Sequence, residues 1–196
     1  LALPSQAFAE VRRADVIAGR TVEARGLTVA QCPSVDATYA ALVSSDGTML
    51  FERDAYAQSH IASITKVMTA IVAIDNAPDG LFVAVSESAA EIGESSAGLQ
   101  EGDVMSLETA LKALLVPSGN DAAVAIAESV GATMIASNPE LGNDPMLAFV
   151  RAMNDKAAQI GCTDTVYENP HGLDDGAYDG QLHSTAADQA KVAQCA

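Results

Sequence analysis

Ser63 and Lys66 form the only Ser-x-x-Lys in the chain, and this pair could carry nucleophilic chemistry. Three residues along a helix is close to one turn, so the serine hydroxyl and the lysine amine would share a face and could hydrogen-bond. Lys66 is also the only Lys, Arg, Asp or Glu between Asp54 and Asp75. Burial in such an apolar setting disfavours the ammonium form and lowers the pKa of a lysine, so the neutral amine becomes a candidate proton acceptor. A serine beside that amine becomes nucleophilic without a histidine.

The element that must position this pair is predicted from the apolar pattern around it. Residues 67–74 are apolar on every face, which is typical of a buried helix. The competing interpretation is a surface serine and lysine on a solvated helix, and composition predicts about one chance Ser-x-x-Lys in a chain of this length. Surface lysines usually stand among other polar residues and Lys66 does not, so the catalytic interpretation is favoured.

A second polar feature is the only Ser-x-Asn of the chain, Ser118-Gly119-Asn120. It lies in a short loop between two predicted apolar helices at residues 107–116 and 122–130. Alternate residues of a tight loop can point the same way, so the hydroxyl and the amide could face one cleft. The alternative is a helix-capping turn, because Ser, Asn and the following Asp121 all favour caps. Its occurrence together with the Ser-x-x-Lys favours a shared site.

The remaining elements follow from turn and cap signals. Asp46-Gly47 between two short apolar runs predicts an antiparallel hairpin over residues 37–52. Further predictions, in chain order, are a short strand at 81–85, Ser106 as the N-cap of the helix at 107–116, Gly131 as the end of the helix at 122–130, a helix from Asp144-Pro145 to about Ile160, a short strand at 165–168, and a last helix opened by Ser184 or Thr185.

Composition narrows the class of protein. The 196 residues are 49% hydrophobic, which is enough to bury a core, and no stretch reaches the ~20 continuous apolar residues of a transmembrane helix. A net charge of −16 makes a nucleic-acid backbone an unfavourable ligand. Ala7-Phe8-Ala9 fits a signal-peptidase site, and residues 1–36 are interpreted as a leader, with a signal-peptide remnant and an extended segment. Residues 37–196 then form the domain.

Neither histidines nor cysteines indicate a metal site. The spacings of His60, His171 and His183 match no common zinc pattern, and His171 is interpreted as a loop residue that satisfies backbone groups. The aspartates at 174, 175 and 179 lack the spacing of a calcium loop. Three cysteines, Cys32, Cys162 and Cys195, leave at least one thiol unpaired, and their disulfide status is open. No cofactor is expected.

Four segments together resemble the low-molecular-mass penicillin-binding proteins that act as serine-type D-alanyl-D-alanine carboxypeptidases, within the penicillin-recognising serine enzymes. The matching segments are Ala62-Ser63-Ile64-Thr65-Lys66-Val67-Met68-Thr69, Pro117-Ser118-Gly119-Asn120-Asp121-Ala122-Ala123, Asn169-Pro170-His171-Gly172-Leu173-Asp174 and His183-Ser184-Thr185-Ala186-Ala187-Asp188. Class A β-lactamases typically carry Ser-Asp-Asn as the middle element, which makes that subfamily a poorer match.

The resemblance implies a two-step acyl transfer on peptidoglycan stem peptides that end in D-Ala-D-Ala. Ser63 is expected to attack the carbonyl of the penultimate D-Ala, and Lys66 to take the serine proton. Ser118 would relay a proton to the departing amine, and Asn120 would hydrogen-bond the substrate backbone. Peptidoglycan stem peptides and β-lactams are the implied ligands, and the implied location is outside the bacterial cytoplasm, either secreted or associated with the cell envelope.

The implied fold is α/β (α+β), β-lactamase/transpeptidase-like, with an antiparallel sheet and a mainly helical lobe. One family feature is absent, because no lysine here precedes a Thr-Gly pair. We therefore expect residues 37–196 to be the N-terminal portion of the catalytic domain, with its C-terminal strands in a segment that completes the sheet. The alternatives are a β-lactamase-like hydrolase and a non-catalytic module that binds penicillin or cell wall.

Overall fold

The computed structural model describes residues 12–196, which form antiparallel sheets and helices. The strands are β1 (Val16–Ile17), β2 (Arg20–Thr21), β3 (Ala40–Val43), β4 (Met49–Arg53), β5 (Phe82–Ala84) and β6 (Val104–Ser106). The helices are α1 (Val22–Arg25), α2 (Thr65–Asn76), α3 (Glu87–Ala90), α4 (Leu107–Leu115), α5 (Asn120–Ser137), α6 (Pro145–Gln159) and α7 (Ala186–Cys195). This mixture confirms the predicted α/β class with an antiparallel sheet and a mainly helical lobe.

The predicted hairpin, β3 and β4, forms one half of the larger sheet, whose strand order is β2-β1-β4-β3 with β3 at an edge. Its turn follows from local chemistry: the amide of Gly47 bonds the Ser44 carbonyl, and the carboxylate of Asp46 accepts the Thr48 amide at 3.0 Å. Gly47 has a φ of 83°, which a residue with a side chain adopts only with strain. The hairpin prediction is confirmed.

The segment before the hairpin differs from the extended leader that the sequence predicted. Strand β1 pairs antiparallel with β4, and a buried ion pair holds the segment to the sheet. The Arg53 guanidinium donates to both carboxylate oxygens of Asp15, at 2.8 and 2.6 Å, and to the carbonyls of Val35 and Ala37. A buried guanidinium needs such acceptors, and residues far away in sequence supply them. Residues 1–11, with the predicted cleavage site, lie outside the described part.

Helix α5 lies at the centre of the helical lobe, and it is longer than predicted. Its residues 122–127, four of which are alanines, are buried, and α2, α3, α4 and α6 all pack around it. The prediction that Gly131 ends the helix is wrong. A Cβ at Gly131 would lie 2.1 Å from the Pro145 carbonyl oxygen, so this glycine allows α6 to approach closely and the helix continues to Ser137.

Most other predicted boundaries are confirmed. Ser106, Asp144 and Thr185 cap α4, α6 and α7 with their side-chain oxygens, and the predicted strand at 81–85 contains β5. The predicted strand at 165–168 is wrong, because only an isolated bridge joins Val166 to His183. Within residues 12–196 no helix combines the length and apolar character needed to cross a bilayer.

Candidate active site

Ser63 lies in a single 3₁₀ turn, Ala62–Ile64, directly before α2. The preceding Ala62 has a φ of 44°, a left-handed conformation that costs a non-glycine residue about 1–3 kcal/mol. Ser63 is exposed at this bend, and no side chain in the described part of the chain caps α2. The helix dipole therefore places partial positive charge beside an accessible hydroxyl.

Lys66 occupies the first turn of α2 and is only 2% exposed. Its Nζ atom lies 3.0 Å from Ser63 Oγ, 2.7 Å from Asn120 Oδ1 and 2.9 Å from the His171 carbonyl oxygen. Three acceptors match the three N–H groups of an ammonium. Helix α2 is thus the buried helix that the apolar pattern predicted, with Ile74 as an exposed exception on its far turn.

Burial sets the protonation of this lysine. Desolvation lowers the pKa of Lys66 from 10.5 to about 8, and the charge of Asp121 acts in the opposite direction. A neutral amine has two N–H groups and one lone pair. If the two carbonyl-type acceptors at Asn120 and His171 keep the N–H groups, the lone pair is directed at Ser63 Oγ. The surroundings of Lys66 therefore direct the lone pair of a neutral amine toward the hydroxyl.

Asn120 is the first residue of α5, and the structure brings it to Lys66 as well as to a neighbouring loop. Its side chain accepts from Lys66 through Oδ1 and donates to the Gly93 carbonyl through Nδ2 at 3.2 Å. Its backbone amide donates to the Ser95 carbonyl at 2.8 Å. The amide has a second N–H that neither contact uses. Asn120 is therefore tied to the lysine and to residues 93–99.

Ser118 lies outside the hydrogen-bond network of Lys66, whose three acceptors are Ser63, Asn120 and His171. It is half-buried, and its φ of 61° places it in the left-handed region. The next residue, Gly119, is enclosed, since a Cβ there would lie 2.8 Å from the Ala113 carbonyl oxygen. The Ser118 loop is thus held in a fixed, strained bend beside the start of α5.

A turn at residues 169–173, which we call the proline turn, packs against the 3₁₀ turn that carries Ser63. Gly172 approaches so closely that a Cβ there would lie 1.9 Å from the Ala62 carbonyl oxygen. Asn169 Oδ1 accepts the amide of Gly172 at 2.6 Å, and Thr69 donates to the Pro170 carbonyl at 2.6 Å. These contacts fix the carbonyl of the intervening residue, His171, on Lys66.

The imidazole of His171 makes a hydrogen bond within its own loop. It is buried, and its Nδ1 accepts the Leu173 amide at 3.1 Å, as expected for a loop residue that satisfies backbone groups. Desolvation, and then the charge of Lys66, lowers its pKa to about 4, so it stays neutral near pH 7. Across residues 12–196, no three His, Cys, Asp or Glu side chains are grouped as a metal site.

Sequence reasoning missed two contributors to this site. The carbonyl of His171 and the buried carboxylate of Asp121 both act on Lys66, from elements 105 and 55 residues away along the chain. The only signal for them was that both residues lie inside segments that resemble a known family. The pairing of Ser63 with Lys66 was accessible from spacing, because one helical turn joins the two residues.

Comparison with known proteins gives a consistent result. Residues 27–196 match the model of the peptidase S11 family, described as D-alanyl-D-alanine carboxypeptidase. The chain is 32% identical over 165 residues to D-alanyl-D-alanine carboxypeptidase DacF of Bacillus subtilis, covering 81% of this chain and 38% of that protein. It is 33% identical over 176 residues to DacD of Salmonella typhimurium, covering 84% and 41%.

Similar solved structures come from the same kinds of protein. D-alanyl-D-alanine carboxypeptidase DacD from Francisella tularensis aligns with a TM-score of 0.69 and 30% identity, over 83% of this chain and 37% of that one. The R248L mutant of the Streptomyces K15 DD-transpeptidase aligns with a TM-score of 0.72 and 26% identity, over 84% and 62%. The chain spans about two fifths of the length of the two sequence relatives. Given the family match and these identities, the chain belongs to the peptidase S11 family of D-alanyl-D-alanine carboxypeptidases.

Proposed function

We propose that this chain carries the nucleophile and general base of a serine-type D-alanyl-D-alanine carboxypeptidase, which removes the terminal D-Ala from peptidoglycan stem pentapeptides. The observation that carries the proposal is the Lys66 amine, 2% exposed and 3.0 Å from an accessible Ser63 hydroxyl. A lysine whose pKa is lowered to about 8 is partly neutral near neutral pH, so it can accept the serine proton without histidine.

The reaction proceeds in two steps. Ser63 Oγ forms a bond to the carbonyl carbon of the penultimate D-Ala while its proton passes to Lys66 Nζ. The C–N bond to the terminal D-Ala then breaks, and the leaving amine takes up the proton that Lys66 had accepted, relayed by Ser118, so that Lys66 is neutral again. Water next attacks the Ser63 ester and gives a proton to Lys66 Nζ, which passes it to Ser63 Oγ as the ester C–O bond breaks, so that the shortened peptide and the free serine are released. Charge that develops on the carbonyl oxygen lies near the Ser63 N–H at the uncapped start of α2.

Asn120 has two roles in this proposal. Its Oδ1 orients Lys66 at 2.7 Å, which the contacts in the site support directly. Its second Nδ2–H is assigned to the substrate backbone, as the resemblance to the family implies. Ser118 is assigned the proton relay, as the resemblance to the family implies, and its loop stands next to Asn120, which contacts Lys66. Residues 37–196, together with the strands of residues 16–21 that join their sheet, would supply the N-terminal portion of the catalytic domain.

The ligands and location of the proposed enzyme follow from the family. Peptidoglycan stem peptides and β-lactams are the proposed ligands, and the cell envelope outside the cytoplasm is the proposed place of action. The net charge of −16 is consistent with a ligand other than nucleic acid. No cofactor takes part in the proposed steps.

A further strand-forming segment of the same polypeptide is proposed to complete the larger sheet. Within the described residues β3 pairs only with β4, and Leu42 and Leu50 of this hairpin are 54% and 41% exposed. An unpaired edge with apolar side chains favours strand addition. We expect fast hydrogen exchange at the outer amides of β3 in residues 1–196 alone, and slow exchange in a polypeptide that contains the segment.

Labelling with a fluorescent penicillin tests the proposed function. We expect a covalent adduct on Ser63 that Ser63→Ala abolishes, whereas Ser137→Ala, at an exposed serine at the end of α5, keeps it. Absence of the adduct from folded protein would contradict the acyl-enzyme mechanism. Release of D-Ala from a stem pentapeptide identifies the carboxypeptidase, turnover of the penicillin identifies a β-lactamase-like hydrolase, and an adduct without either product identifies a binding module.

A further inference from the structure

We propose that Asp121 is a positioning residue for the Ser63–Lys66 pair in two respects: its buried carboxylate ties residues 93–99 to the start of α5 and so holds Asn120 against the lysine, and its negative charge acts on the amine. The inference rests on the proposed function for its catalytic meaning. Asp121 is 1% exposed, and Asn120 beside it is 2% exposed. A carboxylate withdrawn from water to this degree requires compensating contacts.

The segment of residues 93–99, which we call the clamp loop, supplies those contacts. The carboxylate of Asp121 accepts the hydroxyl of Ser96 at 2.7 Å and the amides of Ala97 and Leu99 at 3.0 Å each. Its fourth donor is the amide of Ala122, at 2.8 Å. A carboxylate that accepts several N–H and O–H groups is held in one orientation.

Asn120 is bound to the same loop on its other side. Its amide bonds the Ser95 carbonyl at 2.8 Å, and its Nδ2 bonds the Gly93 carbonyl at 3.2 Å. The clamp loop is therefore attached to two successive residues of α5, one of which, Asn120, accepts a hydrogen bond from Lys66 through its Oδ1. Loss of the Asp121 contacts would free the loop and, with it, the side chain that orients the amine.

Charge adds a second effect to this geometry. Burial by itself raises the pKa of Asp121, and the hydrogen bonds from Ala97, Ser96, Leu99 and Ala122 bring it below its usual value, so the group is an anion at neutral pH. An anion beside Lys66 favours the ammonium and works against desolvation of the amine. Asp121 thus limits how far the pKa of the lysine falls.

The other ionisable groups near Lys66 do not replace this charge. His171 of the proline turn is neutral near pH 7, since its pKa is about 4. Glu94 of the clamp loop is exposed, and Asp174 pairs with His60 at 2.8 Å. In the described part of the chain, Asp121 is the acidic group whose charge raises the pKa of Lys66.

The test is the pH dependence of Ser63 acylation by a fluorescent penicillin in wild type, Asp121→Asn, Asp121→Glu and Ser96→Ala. In wild type we expect the rate to rise with pH around a midpoint of about 8, as Lys66 loses its proton. Asp121→Asn removes the charge, so the midpoint should fall by about one unit. Ser96→Ala removes one hydrogen bond and keeps the charge, so its midpoint should stay at the wild-type value.

Each outcome decides the point. A uniform loss of rate in Asp121→Asn with an unchanged midpoint would show a merely structural role and overturn the proposal. If Asp121→Asn does not fold, Asp121→Glu answers instead, since it keeps the charge and its midpoint should remain near wild type; a fall there overturns the proposal. A direct titration of Lys66 by lysine-detected NMR should show the same shifts. Because that titration needs no acylation, it tests Asp121 even if Ser63 is never labelled.

Discussion

Replacement of Lys66 by methionine should change how the stability of the protein depends on pH. In the folded protein the pKa of Lys66 is lowered to about 8, mainly by desolvation, against 10.5 for the ordinary side chain. Between these two values the unfolded chain binds more protons at this position than the folded chain does. The free energy of unfolding of the wild type therefore gains a contribution from Lys66 as the pH rises through this window. Methionine has a similar volume and cannot contribute it.

The magnitude follows from the size of the shift. One unit of pKa corresponds to about 1.4 kcal/mol, so the full window is worth about 3 kcal/mol, and the part between pH 7 and pH 10 about 2.5 kcal/mol. Methionine also leaves Asn120 Oδ1 and the His171 carbonyl without their donor, a cost of about 2 kcal/mol that does not vary with pH. The difference in unfolding free energy between wild type and Lys66→Met should thus change with pH, whereas the lost hydrogen bonds shift that difference by a constant amount.

Urea unfolding of both proteins at pH 7 and pH 10 measures this change. The unfolding free energy of wild type minus that of Lys66→Met should become more positive by about 2.5 kcal/mol at the higher pH. Lys112→Met is the matched control, because Lys112 is an exposed lysine, paired with Glu108, whose replacement relieves no burial. A wild type minus Lys66→Met difference that stays constant within about 0.5 kcal/mol would refute the claim that burial lowers the pKa of this amine.

Two further substitutions test the packing that positions the site. Gly131→Ala should lower stability by about 2–3 kcal/mol in thermal unfolding, because its Cβ would meet the Pro145 carbonyl oxygen at 2.1 Å. The control Ala132→Gly, at an exposed position of α5, should cost only about 1 kcal/mol. Equal losses of stability would contradict the close approach of α5 and α6. Arg53→Met should lower the free energy of unfolding in urea by about 3–5 kcal/mol, because it leaves the Asp15 carboxylate buried without the guanidinium. A decrease below about 1 kcal/mol would show that the ion pair does not anchor the N-terminal segment.

Much of the fold was predictable because its signals are local. The turn at Asp46-Gly47 and the caps at Ser106, Asp144 and Thr185 each depend on a side chain within a few residues of the backbone group that it satisfies. Gly131 was misread for the opposite reason. A glycine that ends a helix and a glycine that admits a neighbouring helix look alike in sequence, and only the position of α6 distinguishes them.

The sequence alone determined that a serine and a lysine would share one turn of a buried helix, since period and apolar pattern suffice for that. It also determined the class of the fold, through elements whose formation depends on near neighbours. Only the tertiary structure decided what surrounds the amine: the Asn120 amide and the His171 carbonyl contact Lys66 from α5 and the proline turn, and the Asp121 carboxylate acts on it through its charge. Burial and electrostatic fields depend on distance in space, and separations of 54 to 105 residues in the chain carry no local signal for them.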